Sequence, residues 1–209
     1  MPAWDYKLWN EDNFDVTAVP YTKEAYEARK FAFVSDYVRL WALWNEGGLY
    51  LDTDVEVFKP FDGLLSYKAF AGFEGSKHLP MGTCVMASEA NGVWVKEQLE
   101  YYIDRHFLKA DSSYDLTTNV QFVSAKMCEQ GFVQNGKEQN YKDLHVFPVE
   151  YFCPRQTTGE YFRTENTYCD HLGMGSWSDN DANWKAKVRN LVGQRNMTRL
   201  IKLKRKLFG

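Results

Sequence analysis

Asp52 and Asp54 flank a single threonine in the stretch Leu49-Tyr50-Leu51-Asp52-Thr53-Asp54. In an extended chain, residues two apart point to the same side of the sheet, so the two carboxylates repel unless a cation or proton lies between them. Hard oxygen ligands of this kind suit Mg²⁺ or Mn²⁺. Upstream, Asp36 and Arg39 are three apart and share one face of any helix that carries them. Either feature alone has an ordinary reading, as a solvated strand end or an intrahelical ion pair. Their company, with Gly47-Gly48 and Tyr50, within one stretch from Ser35 to Asp54 points to chemistry. A cation held there can neutralise charge developing on a leaving diphosphate, as transfer from a nucleotide-activated sugar requires.

The elements that must position these residues follow from periodicity. From Glu24 to Glu46, Ala25, Ala28, Ala32, Val38, Trp41, Ala42 and Leu43 recur at helical spacing, with a break expected at Val34-Ser35. Gly47-Gly48 stops that helix. A strand over 49–58 follows, closed by Lys59-Pro60. Elsewhere the pattern predicts strands over 4–9, 69–73, 83–87 and 144–151, with Asn10 to Asn13 as a turn. Helices are predicted over 93–107 and 120–129, the second ending near Gly131. Strands mixed with helices throughout define an α/β layered fold.

With 209 residues and 44% apolar content, the chain suffices for one sizeable core. We expect a catalytic domain over 1–181 and a basic amphipathic helical tail over 182–209. From Lys185 onward there are nine basic side chains and no acidic one, leaving residues 1–184 with sixteen basic against twenty-eight acidic groups. An acidic body argues against nucleic acid as a partner. In the tail, Leu200, Leu203 and Leu207 can line one side of a helix while Arg199, Lys202, Lys204, Arg205 and Lys206 crowd the others, a pattern suited to an anionic membrane surface. Cys84, Cys128, Cys153 and Cys169 show no CxxC pair and no zinc-like spacing, so a reducing cytoplasm is the simplest setting. Neither a signal peptide nor a long apolar run is evident, so we expect a cytoplasmic protein, peripheral on the inner face of the cell membrane through its tail. His78, His106 and His145 have no partners at useful spacing.

Two other uses of paired aspartates fail on position. A phosphatase of the haloacid dehalogenase type needs Thr or Val where this chain has Glu56, and a calcium loop needs glycine where it has Val57.

The stretch from Ser35 to Asp54, of the form SDxxRxxxLxxxGGxYxDxD, resembles the DXD-containing sugar-binding region of family 32 glycosyltransferases. These include yeast-type mannosyltransferases, galactosyl and N-acetylglucosaminyl transferases and bacterial capsular polysaccharide enzymes. The same segment also resembles the glucosylating domain of large clostridial toxins. The resemblance implies a GT-A fold, a mixed sheet flanked by helices, a nucleotide-sugar donor such as a UDP-hexose, a glycan or lipid-linked saccharide acceptor, Mn²⁺ or Mg²⁺, and retention of configuration. By position it makes Asp36, Arg39, Asp52 and Asp54 catalytic. Asp36 would meet the ribose or donor sugar, Arg39 the donor sugar or diphosphate, and Tyr50 the nucleoside side. Asp52 would touch ribose or a metal-bound water, and Asp54 would ligate the metal directly. The segment from Tyr168 to Trp177 resembles the family's closing His-to-Ser-Trp segment, making His171 a metal or diphosphate ligand and placing Ser176 and Trp177 on the donor. Thr118 and Asn119 occupy the place of residues facing donor or acceptor. Family members also carry an upstream strand of the nucleotide-base pocket that this sequence lacks, so we expect an N-terminally truncated form of the fold. A non-catalytic remnant that binds sugar nucleotides is the alternative.

Overall fold

Gly47 closes the helix carrying Asp36 and Arg39, with a positive φ of 69° and a seat so tight that a Cβ would lie 2.7 Å from the Ala90 amide nitrogen. The computed structural model describes residues 4–75, 81–155 and 161–173. Its helical entry consists of α1 (Pro20–Glu27) and α2 (Phe31–Glu46). The single helix expected over 24–46 is therefore two helices, broken at 28–30, where Arg29 takes a φ of 58°. The amide of Lys30 donates to the Ala25 carbonyl at 2.8 Å, a bond that caps α1. No break falls at Ser35, which lies inside α2 with its hydroxyl donating to the Ala32 carbonyl at 2.7 Å.

The strand expected over 49–58 is also two, β1 (Gly48–Leu51) and β2 (Val55–Val57). After β3 (Ala69–Phe73) and β4 (Met81–Ser88) come α3 (Val93–Glu100), α4 (Asn119–Glu129), β5 (Gln139–Tyr141), β6 (Leu144–Phe147) and β7 (Cys169–His171). One five-stranded sheet has the order β1-β4-β3-β6-β5, antiparallel except where β3 meets β6, and a separate antiparallel ribbon joins β2 to β7. Pairing of β1 with β4 and of β2 with β7 thus pulls the two halves of the expected strand apart.

β3 and β4 are buried along their whole length. Alternation sends Ala69, Ala71, Phe73 and Met86 into a cluster with Phe33, Leu40 and Trp94 of the helices. Phe70, Val85 and Ala87 pack on the opposite side with Phe61, Phe152 and Cys169. The described chain is thus a mixed sheet flanked by helices, within a compact unit of residues 1–172. The tail 182–209 lies outside the described residues.

Three further expectations change. Residues 4–9 form no strand; Tyr6 and Leu8 of the alternating pattern are exposed, while Trp9 sets its ring edge-on to Trp41, centroids 5.3 Å apart. The helix expected to reach Phe107 stops at Glu100, and Tyr102 and Phe107 reach the core from irregular turns, their rings against Tyr21. The strand over 144–151 ends at Phe147, since Pro148 has no amide to donate and Val149–Tyr151 coils into a 3-10 turn. Among the described residues, no helix is long and apolar enough to cross a membrane.

Thr118 is the N-cap of α4, closing a reciprocal capping box with Gln121. Thr118→Ala is expected to destabilise the fold by about 1 kcal/mol. Calorimetry should record a fall in Tm of roughly 2–4 °C. A Tm within the error of the wild-type value would show that the cap is dispensable.

Candidate metal and donor site

The last ladder bond of β1, from the Asp52 amide to the Cys84 carbonyl at 2.9 Å, pins Asp52 against β4. The chain then turns through Thr53 and Asp54, and the Val55 amide returns to the Asp52 carbonyl at 3.1 Å. β2 leaves in the other sheet, where Val55 pairs with His171 and the Leu172 amide donates to the Asp54 carbonyl at 2.9 Å. This pairing brings His171 Nε2 to 3.3 Å from Asp54 Oδ1 and 3.9 Å from Asp52 Oδ2. One ligand atom from each of the three residues falls within 4.8 Å of the others. The carboxylates therefore converge, but through a tight turn between two sheets and not through the alternation of one extended strand.

Asp52 divides its oxygens. Oδ1 accepts from the Tyr50 hydroxyl at 2.8 Å and pairs with Arg39 Nη1 at 3.2 Å, while Oδ2 lies on the His171 side. Arg39 is buried, and its guanidinium is held at every nitrogen. Nε donates to the Ser35 carbonyl at 3.1 Å, Nη1 to the Thr83 carbonyl at 2.9 Å, and Nη2 pairs with Asp36 at 3.2 Å. It also lies over the Tyr50 ring, 4.7 Å from the centroid. With its donors on protein acceptors, Arg39 positions Asp36 and Asp52; in this arrangement it does not reach out to a donor diphosphate.

Burial pushes the Asp36 carboxyl up to about 6, against the pull of Arg39. Burial also raises the Tyr50 hydroxyl, keeping it a hydrogen-bond donor. For His171, burial alone would lower the imidazole; hydrogen bonds to Asp54 and Cys84 outweigh it and push the ring up to about 11. An imidazolium thus balances the two aspartates when no metal is bound.

The donor set fits a divalent ion. Two carboxylates and one imidazole converge, each side chain one-sixth to one-quarter exposed. The nitrogen ligand favours Mn²⁺ over Mg²⁺, which prefers oxygen.

Asn119 is buried beside this network, its backbone against Asp36 and its Oδ1 accepting from the Tyr102 hydroxyl at 3.1 Å. Thr118 caps α4. Ser176, Trp177 and His78 lie outside the described residues. His106 pairs with Glu24 and His145 with Glu138, both away from the aspartates. Sequence reasoning missed Ser35 and Thr83 as anchors of Arg39, although Ser35 lies in the motif itself. It also missed Glu74, Cys84 and Cys153, which surround His171 and are too far apart in the chain to leave a spacing signal.

Comparison with known proteins agrees on the class. The family model described as a glycosyltransferase sugar-binding region containing a DXD motif matches residues 1–71. That stretch holds Asp36, Arg39, Tyr50, Asp52 and Asp54, while His171 lies beyond it. The chain thus carries a glycosyltransferase-like sugar-binding region. Among curated proteins it is similar to Glucan organizing enzyme 1 of Cryptococcus neoformans var. grubii, 35% identical over 94 residues, covering 41% of this chain. The match spans 26% of that relative's length. No solved structure matches this chain.

Proposed function

We propose that this chain is a metal-dependent glycosyltransferase of the family 32 and GT-A type, moving a hexose from a nucleotide-diphosphate donor, UDP-hexoses first, to a glycan or lipid-linked acceptor with retention of configuration. The observation that carries this reading is the convergence of Asp52, Asp54 and His171 from two sheet systems, backed by the buried Asp36-Arg39-Tyr50 network. Donor identity and stereochemistry rest on the resemblance of the motif. So does a role in assembling surface glycans such as capsular polysaccharide. The cytoplasmic setting rests on the cysteine pattern, and attachment to an anionic membrane through residues 198–209 rests on the tail's charge and leucine pattern.

Asp52, Asp54 and His171 would hold Mn²⁺ or Mg²⁺. A cation there supplies Lewis-acid neutralisation of the departing diphosphate. The chain's own groups do the rest. Tyr50 and Arg39 lock one oxygen of Asp52, so its other oxygen is pre-set toward the cation and little reorganisation is needed. Asp36, as a carboxylate, accepts a hydroxyl of the ribose or donor sugar, and Arg39 keeps that buried charge tolerable. Asn119, Thr118, Ser176 and Trp177 would wall the donor.

The test is UDP release from UDP-glucose, UDP-galactose and UDP-N-acetylglucosamine, and GDP release from GDP-mannose, with melting shifts measured in parallel. Mn²⁺-dependent release and a shift needing both metal and nucleotide sugar are expected. A panel in which no donor moves Tm or loses its sugar would overturn the reading.

A pH dependence follows from Asp36, whose carboxyl sits at about 6, above its ordinary 3.8. Folding favours the protonated form at this position, so this group's contribution to stability grows as pH falls through about 6 toward 3.8. Donor recognition by the carboxylate is lost over the same window. We expect an acid limb near pH 6 in kcat/KM. Asp36→Asn should lower the plateau and remove that limb; a limb that survives would belong to another group.

A further inference from the structure

His171 also belongs to a second group of ligand atoms. Glu74 follows β3, Cys84 lies in β4, and Cys153 follows the 3-10 turn Val149–Tyr151. One ligand atom from each of Glu74, Cys84, Cys153 and His171 lies within 4.8 Å of the others. The two sulfurs are 3.3 Å apart, and both cysteines are buried. Glu74 Oε2 is buried with no hydrogen-bond partner. A buried carboxylate oxygen without a donor is an unmet demand, and such atoms call for an explanation in a bound ion or water. Two thiols and an imidazole facing it leave one economical answer.

We propose that Glu74, Cys84, Cys153 and His171 form a second metal site, a closed tetrad of two sulfurs, one nitrogen and one oxygen that takes Zn²⁺ in preference to Mn²⁺. Four ligands of these types, largely shut off from solvent, match the number and chemistry that structural zinc requires. Thiolates select zinc over manganese, whereas the Asp52-Asp54 side, with its oxygen ligands, does the reverse. On binding, both thiols and the His171 imidazolium release protons to solvent, while the metal keeps its oxidation state. The site ties β4, the segment after β6, and β7 together behind the aspartates. It shares His171 with them, so the two readings are separated by variants that touch only one site, Cys84 and Cys153 here and Asp54 there.

The experiment uses the reduced 209-residue chain, with Cd²⁺ as a spectroscopic stand-in and Zn²⁺ measured by equilibrium dialysis. We expect a thiolate-to-cadmium charge-transfer band that saturates at about one ion per chain, as one four-ligand site requires. The band should vanish in the Cys84→Ser/Cys153→Ser double variant and persist in Asp54→Ala, which loses Mn²⁺-dependent turnover if the transferase reading holds. Glu74→Gln, nearly isosteric, should weaken Zn²⁺ binding roughly tenfold or more. This variant decides the matter if the serine variants do not fold, since unchanged zinc affinity would overturn the site. A band that survives the double cysteine change, carried by Cys128 or Cys169, would overturn it too. So would zinc-free protein purified without reductant in which Cys84 and Cys153 are joined as a disulfide.

Discussion

Asp54→Ala is expected to lower Mn²⁺-dependent release of UDP from a UDP-hexose by about 10²–10³-fold in kcat, the effect of removing one group that stabilises developing charge. The fold should survive. The Asp54 side chain is a candidate ligand, whereas its backbone carbonyl is what receives the Leu172 amide, so the β2–β7 ribbon does not depend on the carboxylate. Removing one of two facing carboxylates relieves their repulsion but takes from His171 its partner at 3.3 Å. Tm should therefore fall by no more than a modest amount while turnover collapses. Asp52→Asn should be milder, because Asp52 works through ribose or a metal-bound water, whereas Asp54 ligates the ion directly. Wild-type turnover in Asp54→Ala would sink the metal assignment, and equal losses in the two variants would mean that their roles are wrongly divided.

The reach of the sequence is clearest around this pair. Gly47 is legible as a helix stop because a positive φ at a crowded position is a local demand, written in one residue. Asp36 and Arg39 three apart on α2 are legible for the same reason, since helical spacing is local. The convergence of Asp52 and Asp54 is legible too, but for a different reason from the true one. Alternation along a strand would put them on one side, but the chain turns there because β1 and β2 belong to different sheets, and sheet membership is decided by β4 and β7, far away in sequence. His171 is reached only through family resemblance, since its pairing with Val55 leaves no trace in local pattern. Cys84 and Cys153 show the same limit more sharply. Their spacing argues against a metal, yet β4 and the turn after β6 bring their sulfurs into contact. The break at Arg29 is hidden because alanines continue the helical period across it.

Arg39→Met should show what the buried network contributes, and it is expected to destabilise the protein by about 3–5 kcal/mol. Arg39 is 6% exposed and faces Asp36 and Asp52, each 3.2 Å from its guanidinium, along with the Thr83 and Ser35 carbonyls. Methionine fills similar space but takes one donor from each of these acceptors, and Asp36, already disfavoured as a buried anion, loses the cation that holds its carboxyl down. The corresponding fall in Tm is roughly 6–20 °C. Turnover in the folded fraction should fall as well, because Asp52 loses one of the two donors that aim it. Adding Asp36→Asn removes the stranded charge, so the double variant should recover part of the lost stability, a coupling of about 0.5–3 kcal/mol in a double-mutant cycle. Strict additivity would show that Asp36 and Arg39 do not act on each other. A Tm for Arg39→Met within a degree or two of the wild-type value would show that solvent can replace the guanidinium as the donor to these buried acceptors.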